Sequence, residues 1–246
     1  MILGIKNRTE NWTTVGHLFD LRNNKLIRHL MGNNSDDSAP FDDGSEARLE
    51  LFWYGYRDYI FGKNINLNTV KIDAIYDRFL RLFPNLQENV LSFMDEEPKS
   101  LRVKKTANYA LERENAPLSL FHNVRNTEID IVIETRKKLY IGEVKDSQKF
   151  GANGNLFLPH QLLRQYITAR ILVDELGKDL DVVPFIVLNN NTPKDKNEVV
   201  QLNSGQIKLM KKLHYLKTEN VFRWSDIDSC EGLPVHNNRE HLHVDL

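Results

Sequence analysis

Between Thr127 and Asp146 the chain reads TEIDIVIETRKKLYIGEVKD, with apolar residues at alternate positions on both sides of a polar TRKK. In the first half Ile129, Ile131 and Ile133 alternate with Glu128, Asp130, Val132 and Glu134. In the second, Leu139, Ile141, Glu143 and Lys145 alternate with Tyr140, Gly142 and Val144. A period near two is the mark of a strand, and the short polar link permits only a tight hairpin. With the turn centred on Arg136 and Lys137, antiparallel pairing sets Asp130 opposite Glu143 and Glu128 opposite Lys145, each pair on one face. Two carboxylates held side by side repel unless a cation lies between them, so the pattern asks for a metal ion with a lysine alongside.

The same reading extends along the chain. Residues 14–31 carry a helical pattern, one helix or two short ones, and the following GNNSDDSAPFDDGS is a polar, Gly- and Pro-containing loop. Ser45 is placed to cap a helix through EARLELFWYGYRDYIFG, with Leu49, Phe52, Trp53, Tyr56 and Ile60 as its apolar stripe and Gly62 as its stop. A second amphipathic helix is predicted from Thr69 to the residue before Pro84. Short apolar segments at 101–110 and 118–124 are candidates for a strand leading into the hairpin. After the loop KFGANGNLF, Pro159 opens a predicted helix in which Leu162, Tyr166, Ala169, Val173 and Leu176 share a face and Gly177 ends it. VVPFIVL reads as a buried strand, SGQIKLMKKLHYL as a helix and NVFRWSDI as a last strand or edge segment. The order predicts an α/β fold, a mixed central sheet flanked by helices. The loop before Ser45 is the one plausible internal boundary, so the expected organisation is an N-terminal helical extension and loop over 1–44, a core domain over 45–230, and a polar tail over 231–246.

Composition narrows the partners. The 246 residues are 41% hydrophobic and 27% charged, within the ordinary globular range, and are enough to bury a substantial core. No apolar run approaches the ~20 residues of a membrane span, and MILGIKNRTENW lacks the apolar segment of a signal peptide. A soluble, cytoplasmic protein is therefore expected. The single cysteine, Cys230, excludes an internal disulfide. A formal net charge of -1 is unlike that of a protein holding nucleic acid by bulk electrostatics, so any such contact must be local. The candidates are Lys104 and Lys105 in RVKK, and Lys208, Lys211 and Lys212, which recur at helical spacing.

Asp130, twelve residues, then Glu143, Val144 and Lys145, set within this order of elements, resembles the PD-(D/E)XK nuclease superfamily. The resemblance spans roughly Ser45 to Leu188. It implies a restriction-endonuclease-like core of order αβββαβ and a metal-dependent nuclease, with DNA as the expected substrate. It further implies that Asp130 and Glu143 bind Mg2+, for which Mn2+ substitutes, and that Lys145 positions or polarises the attacking water. The chemistry independently wants such groups: phosphodiester hydrolysis needs a hard cation with oxygen ligands and a water made acidic by it. The Val144 carbonyl is a further candidate ligand.

Members of the superfamily often add a glutamate from the helix before the sheet. Glu46 is the first candidate, at the edge of the predicted stripe, with Glu50, Glu112 and Glu128 as alternatives. A glutamine on the helix after the hairpin is also common, and Gln161 or Gln165 fits that place. The narrower pattern of Gln, three residues, Tyr is absent, since Tyr166 follows Gln161 after four, and Ile129 stands where the name-giving motif has proline. Glu97-Pro98-Lys99 mimics the acid-x-lysine tripeptide, but a proline in a polar loop is unsuited to a central strand. His236, His241 and His243 lie in the polar tail without cysteine partners at zinc-finger spacing. Two other roles compete with the self-sufficient enzyme: a catalytically silent nucleic-acid-binding or assembly module of the same fold, and a cleavage subunit to which a partner delivers substrate. A homodimer would supply the two sites needed to cut both strands.

Overall fold

The computed structural model describes residues 25–62, 72–84, 116–145, 158, 161–188 and 216–228. In chain order these form α1 (Lys25–Asn33), β1 (Arg48–Trp53), α2 (Gly55–Gly62), α3 (Ile72–Leu82), α4 (Ala116–Asn126), β2 (Ile129–Glu134), β3 (Lys138–Lys145), α5 (Gln161–Glu175) and β4 (Asp181–Leu188). A single 3-10 turn at Thr218–Asn220 leads into β5 (Val221–Arg223) and α6 (Trp224–Asp228). The five strands make one open sheet in the order β1-β2-β3-β4-β5. The first three form an antiparallel meander, whereas β3, β4 and β5 run parallel. The fold is α/β with a mixed sheet, and among the described residues no helix is long and apolar enough to cross a membrane.

The hairpin register is the one read from the alternation. Ile131 pairs with Gly142, Val132 with Ile141, Ile133 with Tyr140 and Glu134 with Leu139, which leaves Arg136 and Lys137 as the turn. Alternation also divides the core. Val132, Leu139 and Ile141 pack beneath α2, α3, α4 and α5, while Ile131, Ile133, Tyr140 and Val144 pack against α1 and α6 through Leu26, Ile27, Leu30, Trp224 and Ile227. Gly142, on this second face, is required by packing: a Cβ there would lie 2.1 Å from Cζ of Phe185, its partner on β4.

Helix α5 crosses from β3 to β4 and is buried around most of its circumference, because the sheet lies on one side and α3 and α4 on the other. It stops at Gly177, whose φ of +59° suits a residue without Cβ. Gly177 N–H bonds to the Asp174 carbonyl at 3.1 Å and Lys178 N–H to Val173 at 3.0 Å, a Schellman ending that satisfies the last carbonyls. Pro184 is tolerated in β4 because it precedes the stretch, Ile186–Leu188, that pairs with β5.

Two elements differ from the sequence prediction. The segment read as a single helix from Ser45 is strand β1 followed by the short helix α2. Leu49, Leu51 and Trp53 satisfy a period of two as well as the stripe satisfied 3.6, and pairing along β2 decides for the strand. Residues 116–126, read in part as a strand, are helix α4, so the third strand of the meander comes from 48–53 instead. Helices α2, α3 and α4 are thus inserted between β1 and β2.

Candidate active site

The hairpin carries Asp130, Glu143 and Lys145 toward the layer of α4 and α5. Asp130 lies one position beyond Ile131, the last residue of β2 paired with β3, and is partly buried, while Glu143 and Lys145 on β3 are 2% and 5% exposed. They stand at the carboxyl end of β3, the strand that pairs antiparallel on one side and parallel on the other.

A dense set of hydrogen bonds holds these groups. Lys145 Nζ donates to Glu143 Oε1 at 2.6 Å and to Gln161 Oε1 at 3.2 Å. Gln161 Nε2 donates to the same Glu143 Oε1, and Gln165 Nε2 donates to Glu143 Oε2 at 2.5 Å and to the Glu128 carbonyl at 3.0 Å. Four residues apart on α5, the two glutamines point from one face of the helix onto the strands. Asp130 Oδ2 accepts the Val144 N–H at 2.9 Å. The N–H and C=O of a strand residue point to the same side, so the Val144 carbonyl faces the β2 side of β3, as its N–H does.

The electrostatics follow from this crowding. Burial pushes the Asp130 carboxyl up to about 8, and the Glu143 charge adds to it; the Val144 N–H and Lys145 oppose, and Glu128 contributes a smaller repulsion. Burial also draws the Arg164 guanidinium below its usual range, against the attraction of Glu143. Two hard carboxylates, one of them disfavoured as an anion by burial and by its neighbour, beside a backbone carbonyl suit Mg2+ or Mn2+, and the cation would relieve their repulsion. Among the described residues, no three His, Cys, Asp or Glu side chains gather as a metal-holding group, so this set rests on two acids and a carbonyl. Compared with models of known protein families, with curated proteins and with solved structures, the chain matches none.

The structure therefore brings together Asp130, Glu143, Val144, Lys145 and Gln161. It does not bring Glu46 to them. Glu46 is exposed in the loop before β1, and since Arg48 pairs with Glu134, that loop lies at the hairpin end of the sheet, away from Asp130. The cause is the replacement of the predicted helix by an antiparallel strand. An open groove of about 540 Å³, lined by Arg28, Met31 and Glu46 among others, occupies this far end and includes none of the three central residues. Glu50 pairs with Val132 and is exposed. Glu112 and the lysines Lys104, Lys105, Lys208, Lys211 and Lys212 lie outside the described residues.

Glu128, expected opposite Lys145, instead precedes β2 and accepts a hydrogen bond from Tyr54 Oη, while Lys145 turns to Glu143 on its own strand. The Arg57 guanidinium packs over the Tyr54 ring, 3.6 Å from its centroid. Sequence reasoning did not connect Tyr54 to Glu128, because the contact joins residues 74 apart in the chain. Phe52 stands across from Asp130 between two paired positions and has a φ of +53°, a sparsely populated conformation for a side chain of its size.

Proposed function

We propose that this chain is a metal-dependent nuclease of the PD-(D/E)XK type, hydrolysing phosphodiester bonds, with DNA as its substrate. One observation carries the reading: Asp130, Glu143 and Lys145 converge at the carboxyl end of β3, in a hairpin whose register sets the two acids across from each other. The succession of meander, helix α5 and parallel strand β4 supports it, since this is the order expected for a restriction-endonuclease-like core.

In this reading Asp130, Glu143 and the Val144 carbonyl are the groups that would hold Mg2+. A bound Mg2+ would neutralise charge on the phosphate and acidify a coordinated water. Lys145 is anchored by Glu143 and Gln161, and from there its ammonium group would position the attacking water and face the developing charge on the phosphate. The helices over this face limit access of bulk solvent, which strengthens each of these interactions.

The deciding experiment is incubation of the purified chain with plasmid, linear duplex and single-stranded DNA, in Mg2+, Mn2+ or chelator, beside Asp130→Ala. Metal-dependent cleavage lost in the variant is the expected result. Cleavage that persists in Asp130→Ala refutes the site. Absence of both cleavage and metal binding refutes the nuclease and favours a silent binding module.

A further inference from the structure

The two glutamines of α5 touch Glu143 in different ways, and the difference assigns them different work. Gln165 is 2% exposed, and its single amide nitrogen bridges Glu143 Oε2 on β3 and the Glu128 carbonyl at the entrance to β2. Such a bridge leaves the amide no alternative position. Gln161, the first residue of α5, is partly exposed, and its amide joins Glu143 Oε1 to Lys145 Nζ. Among the described residues, Glu143 Oε1 therefore receives two donors, which fill its two lone pairs, whereas Oε2 receives one. The lone pair left on Oε2 is the one available to a cation, and Gln165 sets its direction.

We propose that Gln165 is the positioning residue for the metal carboxylate and Gln161 the positioning residue for the lysine. The inference rests on the nuclease reading and deepens it. Residues that orient a metal ligand typically change metal affinity by about 10–100-fold when lost. Loss of Gln165 should therefore weaken cation binding by roughly that factor, while loss of Gln161 leaves the donor to Oε2 in place and a second donor, Lys145, on Oε1. Gln161 instead governs where the Lys145 ammonium points, so its removal should lower kcat while leaving KM near the wild-type value.

The test is calorimetric titration of the full-length chain with MnCl2, for wild type, Gln161→Leu and Gln165→Leu, with folding of each checked by thermal melting in chelator. Gln165→Asn serves as a second variant at the buried position, because it keeps an amide but is one methylene too short to span both acceptors. The expected result is a loss of about 10–100-fold in Mn2+ affinity for the Gln165 variants and a change of no more than about threefold for Gln161→Leu. Equal losses at both positions, or the larger loss at Gln161, would overturn the division of roles. Absence of Mn2+ binding by the wild type would remove the nuclease reading itself, and the two failures are thereby distinguished.

Discussion

Replacing Lys145 by methionine keeps most of the stem and removes the charge, which isolates the ion pair at the centre of the site. Lys145 and Glu143 are 5% and 2% exposed and 2.6 Å apart. Removing one partner of a buried pair costs about 3–5 kcal/mol, because the remaining charge loses its compensation. Glu143 keeps its bonds from Gln161 and Gln165, and hydrogen bonds to a charged group contribute about 1.5–3 kcal/mol each. The lower end, about 3 kcal/mol, is therefore expected. For a chain of this size each kcal/mol moves the midpoint by about 2–4 °C, which gives a fall in Tm of roughly 6–12 °C. The assay is thermal unfolding followed by circular dichroism in chelator, repeated with Glu143→Gln and with the double variant. Glu143→Gln removes the charge that Lys145 compensates, so the double variant should recover much of the loss, with a coupling of about 2 kcal/mol. A loss below about 1 kcal/mol for Lys145→Met, or strictly additive costs, would show that the pair is solvated and that the argument for a buried charged cluster is wrong.

Gly142→Ala drives a Cβ to within 2.1 Å of the Phe185 ring, and the resulting overpacking should cost about 1–3 kcal/mol in urea unfolding; Phe185→Leu should restore part of it, and an unaffected single variant would contradict the packing. Burial tends to raise the Asp36 carboxyl, but hydrogen bonds from Ser38, Thr135 and Tyr140 outweigh it and hold the group below its ordinary 3.8. A depressed acid stabilises the fold above the unfolded value and loses that contribution as pH falls through the folded one. Asp36→Asn should therefore be less stable at neutral pH and show a shallower decline below pH 4; an acid-unfolding curve parallel to wild type would count against the network. On the nuclease reading, Glu46→Gln, at the far end of the sheet, should retain whatever DNA cleavage the wild type shows under conditions where Asp130→Ala loses it, and a matching loss would return Glu46 to the site.

The sequence by itself determined the elements whose signals are local. Alternation about a short polar link specified the β2–β3 register, because a slip of one residue would put Ile131 and Ile133 on the face of Glu143 and Lys145 and take them from the core formed with Leu26 and Trp224. That register alone places Asp130 across from Glu143 before any tertiary information is used. Helix α5 and its end at Gly177 were equally legible, through an apolar face and a residue free to adopt positive φ. Only the tertiary structure decided the rest. Residues 48–53 satisfy both helical and strand periods, and the exposed edge of β2 drew them into the sheet across a separation that no local pattern reports. The same choice carried Glu46 away from the acids. The partner of Lys145 was decided likewise, since Glu128 lies beyond the end of β2 and is held by Tyr54, while α5 lays Gln161 and Gln165 over Glu143. Strand register follows from which side chains must be buried, and that is written along the chain. Which carboxylate a lysine meets, and which amide orients it, depends on how a helix sits on a sheet, and packing alone sets that.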